Sequence, residues 1–346
     1  MSNHAGPEMR IFTGNSHRVL GEKICKQLGV QPGKFIFNRF SCGEIYTRID
    51  ESIRGYNIFV IQTCGTYSVN EDLMELFILV DAMRRASAAT INVIMPYYGY
   101  ARQDKKSAPR EPISARLVAD LLQTCGIDRI ITVDLHADQI QGYFNVPVDH
   151  MTALPLFVEY FKAKNLENAT VVAPDTGRAK SAKKLADRIG AELAIIHKTR
   201  PEHNDVEVMN IIGNVEDRDL ILFDDIIDTG RSVVQGAKAL RKVNPHGEIY
   251  LAATHPVFSK PAYTVLKDHH IKEIVVTDTI PISDTHSFDN LTILSTAPLL
   301  AESILRNHHH QSISELFEDD FIPVKRDSHE KKTADEPRVI KQTIHV

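Results

Sequence analysis

The stretch LILFDDIIDTGRS, residues 220–232, restricts the possible folds more than any other. Leu220, Ile221, Leu222 and Phe223 form an apolar run with no polar alternation. A strand of that kind must be covered on both faces, as the strands of a parallel sheet are. Asp224 and Asp225 follow at its carboxyl end, where an open α/β sheet places its ligand crevice. Asp228-Thr229-Gly230-Arg231-Ser232 then makes a hydroxyl-rich turn, and Val233–Lys242 carries apolar residues at helical spacing. Backbone N–H groups converging at such a turn suit a phosphate. The two carboxylates beside it suit vicinal hydroxyls, a metal, or both. A sugar phosphate satisfies every part of the element. The same letters also fit an ordinary strand-to-helix turn whose acids serve as N-caps. A Walker A loop is excluded, because the chain nowhere has G-x-x-x-x-G-K-[ST].

The rest of the chain repeats this rhythm of buried strand and amphipathic helix. Strands are predicted at Met9–Thr13, Tyr56–Gln62, Thr90–Met95 and Arg129–Val133, with helices at Ser16–Leu28, Glu71–Arg85 and Ile113–Leu122. A second series has strands at Thr170–Ala173, Glu192–Ile196, Asp219–Phe223, Glu248–Ala253 and Glu273–Val276. Its helices are expected at Leu154–Ala163, Ser181–Ile189, Val233–Val243, Ala262–Leu266 and Leu299–Leu305. Such alternation means α/β domains, each with a mainly parallel sheet flanked by helices. The two series join near Asp149–Ala153, which predicts two domains. Residues 319–346 are rich in charge and poor in apolar residues, the composition of a disordered tail. The triplet His308-His309-His310 is expected in an exposed loop, because adjacent histidines cannot all face one ion from a regular element.

With 346 residues, 43% of them hydrophobic and 25% charged, the chain can bury ample core. Its net charge of −5 argues against a general nucleic-acid binder. Cys25, Cys42, Cys64 and Cys125 form no CxxC pair, as expected of reduced thiols in the cytoplasm. No leader-like h-region and no bilayer-length apolar run are present, so no membrane association is expected.

Four more stretches carry chemistry, each beside a predicted strand end. Arg102-Gln103-Asp104-Lys105-Lys106, with Arg110, follows Pro96-Tyr97-Tyr98-Gly99-Tyr100. The segment reads as too polar and turn-rich for a core, and its cations suit a polyphosphate on loop closure. Asp134-Leu135-His136 follows a strand. If the strand conformation continues, Asp134 and His136 share a face, and His136 is a candidate for Mg²⁺ or phosphate. Pro174-Asp175-Thr176-Gly177-Arg178 offers Asp175 to a metal. In His197-Lys198-Thr199-Arg200, Lys198 and Arg200 alternate so that two cations can meet one ligand, as a transferring phosphoryl group requires.

Taken together, these residues resemble the ribose-phosphate diphosphokinase (phosphoribosyl pyrophosphate synthetase) family. The resemblance is carried by RFSCGE (39–44), NEDLMELFILVDAMRRASA (70–88), YARQDKK (100–106), PISARLVADLL (112–122), DLHADQIQGYF (134–144), APDTGRAK (173–180), IHKTR (196–200), FDDIIDTG (223–230) and SISELF (312–317). It runs unbroken over about 9–318 and implies two phosphoribosyltransferase-like domains, 9–150 on the ATP side and 151–300 on the ribose 5-phosphate side. Residues 301–318 are then a C-terminal helix packing back on the first domain. It further implies Mg²⁺ as cofactor and a homo-oligomer, usually a hexamer. The implied reaction is ATP plus D-ribose 5-phosphate giving AMP plus 5-phospho-α-D-ribose 1-diphosphate.

By the same resemblance, Phe40 stacks on adenine and Glu44 bonds its edge, with Cys42 and Gly43 in the same loop, while Arg102 and Gln103 hold ATP. His136 and Asp175 match the magnesium positions, and Lys198 and Arg200 the transition-state cations. Arg200 also counts among the ribose 5-phosphate residues. Asp224 and Asp225 match the ribose-hydroxyl acids, and Asp228, Thr229, Gly230, Arg231 and Ser232 the 5-phosphate loop. Ser52, Arg54, Ser312 and Ser314 resemble a regulatory phosphate or ADP site.

Several positions depart from the family pattern. Cys42 stands where Asp or Asn is usual, Arg178 replaces the second Gly of a pair, and Ser181 stands where Arg is common. Arg231 takes a Gly position. His255-Pro256 and Ser259-Lys260 replace further glycines, and a proline cannot adopt φ > 0, so the backbone there is expected to change. These departures leave two other readings. One is a non-catalytic regulatory homologue, against which the retained Lys198, Arg200, Arg102, Gln103, His136 and Asp175 argue. The other is a phosphoribosyltransferase, against which RFSCGE and YARQDKK argue.

Overall fold

A computed structural model of the chain describes residues 7–65, 68–199, 208–267, 271–283 and 288–317, with only the backbone at Lys198, Thr199, Val208, Met209 and Phe317. The chain divides into two compact units, the first of residues 1–152, 279–281 and 296–330, the second of most of 153–295.

In the first unit the chain runs β1 (Met9–Thr13), α1 (Arg18–Leu28), β2 (Phe35–Arg39), β3 (Ile45–Ile49), β4 (Asn57–Ile61), α2 (Val69–Arg85), β5 (Thr90–Met95), α3 (Ser114–Cys125), β6 (Arg129–Val133) and β7 (Val148–Met151). Five parallel strands lie in the order β1-β4-β5-β6-β7, and β2 and β3 form a separate antiparallel hairpin. The apolar runs explain the sheet. Every residue of β4 is buried, and Val60, Val93 and Ile130 join Leu76, Val80 and Met83 of α2 in one core.

The second unit contains α4 (Leu154–Lys164), β8 (Ala169–Ala173), α5 (Ala179–Ile189), β9 (Glu192–Thr199), β10 (Val208–Ile212), β11 (Asp219–Ile227), α6 (Arg231–Val243), β12 (Ile249–Pro256), α7 (Ala262–Val265), β13 (Glu273–Thr277) and β14 (Leu291–Leu294). Its strand order is β10-β9-β8-β11-β12-β13-β14, parallel except for the β9–β10 pair. The predicted two-sided burial of the 220–223 run is met. Leu220 and Leu222 pack with Val233, Ala237 and Leu240 of α6, while Phe223 meets the Phe157 ring of α4 at 5.3 Å. The chain then returns to the first unit as α8 (Ala297–His308), which packs on α1.

Four expectations need correction. β11 extends to Ile227, so Asp224 and Asp225 lie within the strand's final stretch and not after it. β6 stops at Val133, and Asp134 has φ 38°, so the extended conformation that would align it with His136 ends there. Pro256 disturbs no loop: it ends β12 in register with Ile227, and the positive φ falls on Phe258 at 42°. His308 is not in a loop. It closes α8, half-buried, with Nδ1 3.5 Å from Asn57 Nδ2. The predicted tail, 319–346, lies outside the described residues. Among the described residues no helix is long and apolar enough to cross a membrane.

Candidate functional site

The second unit's strand order sets the site's place. From β8 the chain steps to β9 on one side, and later places β11 on the other. Loops leaving the carboxyl ends of β8 and β11 therefore diverge and open a crevice, the switch point at which open α/β sheets bind ligands. Both the 174–178 and 228–232 segments leave from that point.

The β11 side carries the acid pair and the turn. Asp225 is buried and Asp224 nearly so, with side-chain exposures of 8% and 18%. Asp224 Oδ1 accepts a hydrogen bond of 2.9 Å from Asp225 N–H. Burial, with the neighbouring Asp225 charge, pushes the Asp224 carboxyl up to about 8. After the acids, Ser259 donates its hydroxyl hydrogen to Asp228 Oδ1. Gly230 has φ 74°, and a Cβ there would stand 2.8 Å from Leu266 Cγ, so the turn requires glycine. Gly230 is also the N-cap of α6, and it brings no side chain of its own to the first-turn amides. Asp224 and Asp225 lie within β11, ahead of that cap, so neither is the helix's N-cap. Thr229 is half-buried, whereas Arg231 and Ser232 are exposed at the helix start, as an anion cradle needs.

On the β8 side, Asp175 is exposed and does act as a cap, accepting 3.1 Å from the N–H of Arg178 across the 3-10 turn Thr176–Arg178. Arg178, which the sequence marks only as a departure, reaches the acids: its Nη2 lies 2.8 Å from Asp225 Oδ2 and its Nε 3.7 Å from Asp224 Oδ1. Sequence reasoning missed this role. The available signal was an arginine replacing a glycine one strand away from an unpaired acid doublet. Of the predicted cations, Lys198 lies on β9 opposite Met209, and Arg200 lies outside the described residues.

The first unit holds the other predicted residues. The hairpin β2–β3 was not foreseen as strands, and the RFSCGE motif is its loop. Phe40 N–H donates to Glu44 O at 2.9 Å, and Gly43 has φ 97°. Cys42, Gly43 and Glu44 are exposed, and Phe40 is 55% exposed, edge-on to Tyr46 at 5.8 Å. The ring is thus presented to solvent in the hairpin loop. Arg39 braces it, donating to Gly43 O at 2.8 Å and pairing with Glu71 at 2.6 Å.

The segment at 96–106 is not the wholly surface loop expected. Tyr97, Tyr98, Ala101 and Asp104 are buried, and Gln139 Nε2 donates to Asp104 Oδ2 at 2.7 Å. Gln103 is held at the start of α3, its Oε1 accepting 2.6 Å from Ser114 Oγ and its carbonyl 3.1 Å from Ala115 N–H. Arg102 and residues 105–111 are exposed. His136 is half-buried after β6 in this unit, and Asp175 belongs to the other. Among the described residues no group of three or more His, Cys, Asp or Glu is placed to hold a metal ion. Ser52 and Arg54 are exposed after β3. Ser312 Oγ accepts 3.2 Å from Ser314 N–H, and Ser312 O accepts 2.8 Å from Arg306.

Two family models match the chain: the N-terminal domain of ribose phosphate pyrophosphokinase over residues 9–126, and the phosphoribosyl synthetase-associated domain over 203–318. The ribose-phosphate pyrophosphokinase of Halalkalibacterium halodurans is 49% identical over 320 residues, 92% of this chain and 100% of the relative. The chain belongs to the ribose-phosphate pyrophosphokinase family. The Bacillus subtilis member is likewise 49% identical, covering 92% of this chain and all of its own. A crystal structure of the phosphoribosylpyrophosphate synthetase from Mycobacterium smegmatis matches with TM-score 0.82 at 44% identity, over 88% of this chain and 99% of that one. Family and fold class thus agree with the sequence reading.

Proposed function

We propose that the chain is a catalytically competent ribose-phosphate diphosphokinase acting in the cytoplasm. It transfers the β,γ-diphosphoryl group of ATP to O1 of D-ribose 5-phosphate and releases AMP. The observation that carries this reading is the acid pair at the β8/β11 switch point, followed directly by the Gly230 turn and the start of α6. The acids accept hydrogen bonds from vicinal ribose hydroxyls, and residues 228–232 bind the 5-phosphate through amides and hydroxyls. Phe40 stacks on adenine, Glu44, Cys42 and Gly43 line its edge, and Arg102 and Gln103 bind the phosphates.

In the reaction O1 attacks the β-phosphorus and loses its proton, while the bond from that phosphorus to the α,β-bridging oxygen breaks and AMP departs. Lys198 and Arg200 place cations where charge develops on the transferring group. His136 and Asp175 are the residues that would hold Mg²⁺. Asp175 fits, being an exposed oxygen donor on a capped turn, and Mg²⁺ beside nucleotides takes few protein ligands and completes its shell with phosphate and water. When bound, the ion neutralises phosphate charge. Exposed Ile113 at the N-cap of α3, with exposed Leu117 and Leu121 on the helix, favours a homo-oligomer, for which a hexamer is proposed. Ser52, Arg54, Ser312 and Ser314 are proposed to respond to phosphate or ADP.

The purified chain alone should form AMP from ATP only when ribose 5-phosphate and Mg²⁺ are both supplied. No AMP from the chain alone, with stimulation of an active relative on mixing, would mark it as a regulatory homologue. Consumption of the diphosphate with a nucleobase would mark a phosphoribosyltransferase. Arg231→Gly is expected to raise the ribose 5-phosphate KM about three- to tenfold by removing a charge-assisted contact at the exposed helix start. An unchanged KM removes that contact.

A further inference from the structure

We propose that Arg178 is a positioning residue of the ribose site, bridging Asp224 and Asp225 so that both carboxylates are held ready for the vicinal hydroxyls of the sugar. This rests on reading the acid pair as the ribose site, and adds a residue to it. Two adjacent carboxylates taken out of water repel each other, and a buried pair of like charges without a cation will protonate or move apart. Arg178 offsets part of that cost with two different nitrogens, 2.8 Å from Asp225 and 3.7 Å from Asp224. Its own side chain is only 19% exposed, so solvent and salt screen the contact weakly.

The backbone that carries Arg178 is fixed on both sides. Its N–H donates to Asp175 Oδ1 at 3.1 Å, and its carbonyl accepts 2.9 Å from Ser181 Oγ. Gly177, one residue earlier, packs closely, since a Cβ there would lie 3.1 Å from Asp175 Oδ1. A planar guanidinium anchored this way meets the two carboxylates with separate, fixed nitrogens, whereas a lysine ammonium would have to meet both from one point charge. The position also rationalises two departures at once. Arg178 stands at a Gly position and Ser181 at an Arg position of the family pattern, and the 3-10 turn ending at Arg178 leads straight into α5. Residues three apart there project from one face. The cation has moved by one turn and kept its side of the helix.

The test compares wild type, Arg178→Gly, Arg178→Lys and the exchange Arg178→Gly with Ser181→Arg, by steady-state kinetics and by calorimetric titration with ribose 5-phosphate. Arg178→Gly should raise the KM and Kd for ribose 5-phosphate about 10- to 100-fold while the KM for ATP stays within about twofold. Lysine should recover part of the loss, and the exchange should return the KM to within about threefold of wild type. A KM for ribose 5-phosphate unchanged in Arg178→Gly, or an equal loss toward both substrates, overturns the proposal. If the glycine variant does not fold, Arg178→Gln is judged by the same criteria. Wild type that binds ribose 5-phosphate but makes no AMP defeats the catalytic reading alone, and the titrations still decide the role of Arg178. Wild type that binds no ribose 5-phosphate defeats both.

Discussion

Lys198→Ala is expected to lower kcat about 100- to 1,000-fold with little change in the affinity for ATP. The proposed role explains the split. Charge accumulates on the equatorial oxygens of the transferring group only as O1 approaches, so a cation aimed there binds the transition state more strongly than the ground state. Lys198 lies near the end of β9, which runs parallel to β8 and antiparallel to β10, in register with Met209. Pairing with β8 ends at Ile195, so at Lys198 the strand is held by β10 alone. Pre-steady-state turnover alongside equilibrium binding of a non-hydrolysable ATP analogue separates the two parameters. A variant that turns over like wild type would remove Lys198 from the chemistry. One that loses nucleotide binding and turnover in equal measure would make it a ground-state contact.

Asp224→Asn should weaken ribose 5-phosphate binding about 30-fold or more and stabilise the fold at the same time. The lost binding follows from replacing a carboxyl group, which can ionise to accept the sugar hydroxyls, by an amide that cannot take the charge, in a poorly screened place. The gain in stability follows from the acidity. Burial, and then the charge of Asp225, push the Asp224 carboxyl up to about 8. In the unfolded chain it ionises near the ordinary aspartate value of about 4. Between these two values the folded state holds the proton that the unfolded state has lost. Stability contributed by this site is therefore present below the unfolded value and declines as pH rises toward 8. Asparagine has no such slope. The melting temperature of Asp224→Asn should exceed that of wild type by several degrees at pH 8, and the two should converge only near pH 4, about the unfolded value. A constant difference across that range would show that Asp224 titrates normally.

Sequence patterns located the buried elements well because their signal is local. The runs 58–61 of β4 and 220–223 of β11 are fully apolar, and the α6 period follows the second. The hairpin β2–β3 escaped notice because FIFNR and IYTRI are short, half-exposed and paired only with each other. β7, β10 and β14 are edge strands of four or five residues, where one-sided pairing permits polar residues and blurs the pattern. The segment at 96–106 looked polar because Asp104 and Gln103 are polar, yet their bonds to Gln139 and Ser114 let it pack inward. Arg178 shows the deeper limit. Its meaning depends on β8 lying beside β11, and strand order is set by long-range pairing that no window of sequence contains.

The placement of α8 bears on the order in which the protein is made. The first unit needs this helix against α1, whose Leu20 and Ile24 are fully buried, but α8 begins at Ala297. A ribosome adding roughly 5–20 residues per second must traverse the whole second unit before that surface can close. On the order of ten seconds pass at that speed, during which the first sheet exists without its final helix. A nascent chain stalled or cleaved in that interval exposes apolar surface on α1, so a chaperone or a neighbouring polysome product meets the most adhesive form of the chain before synthesis ends.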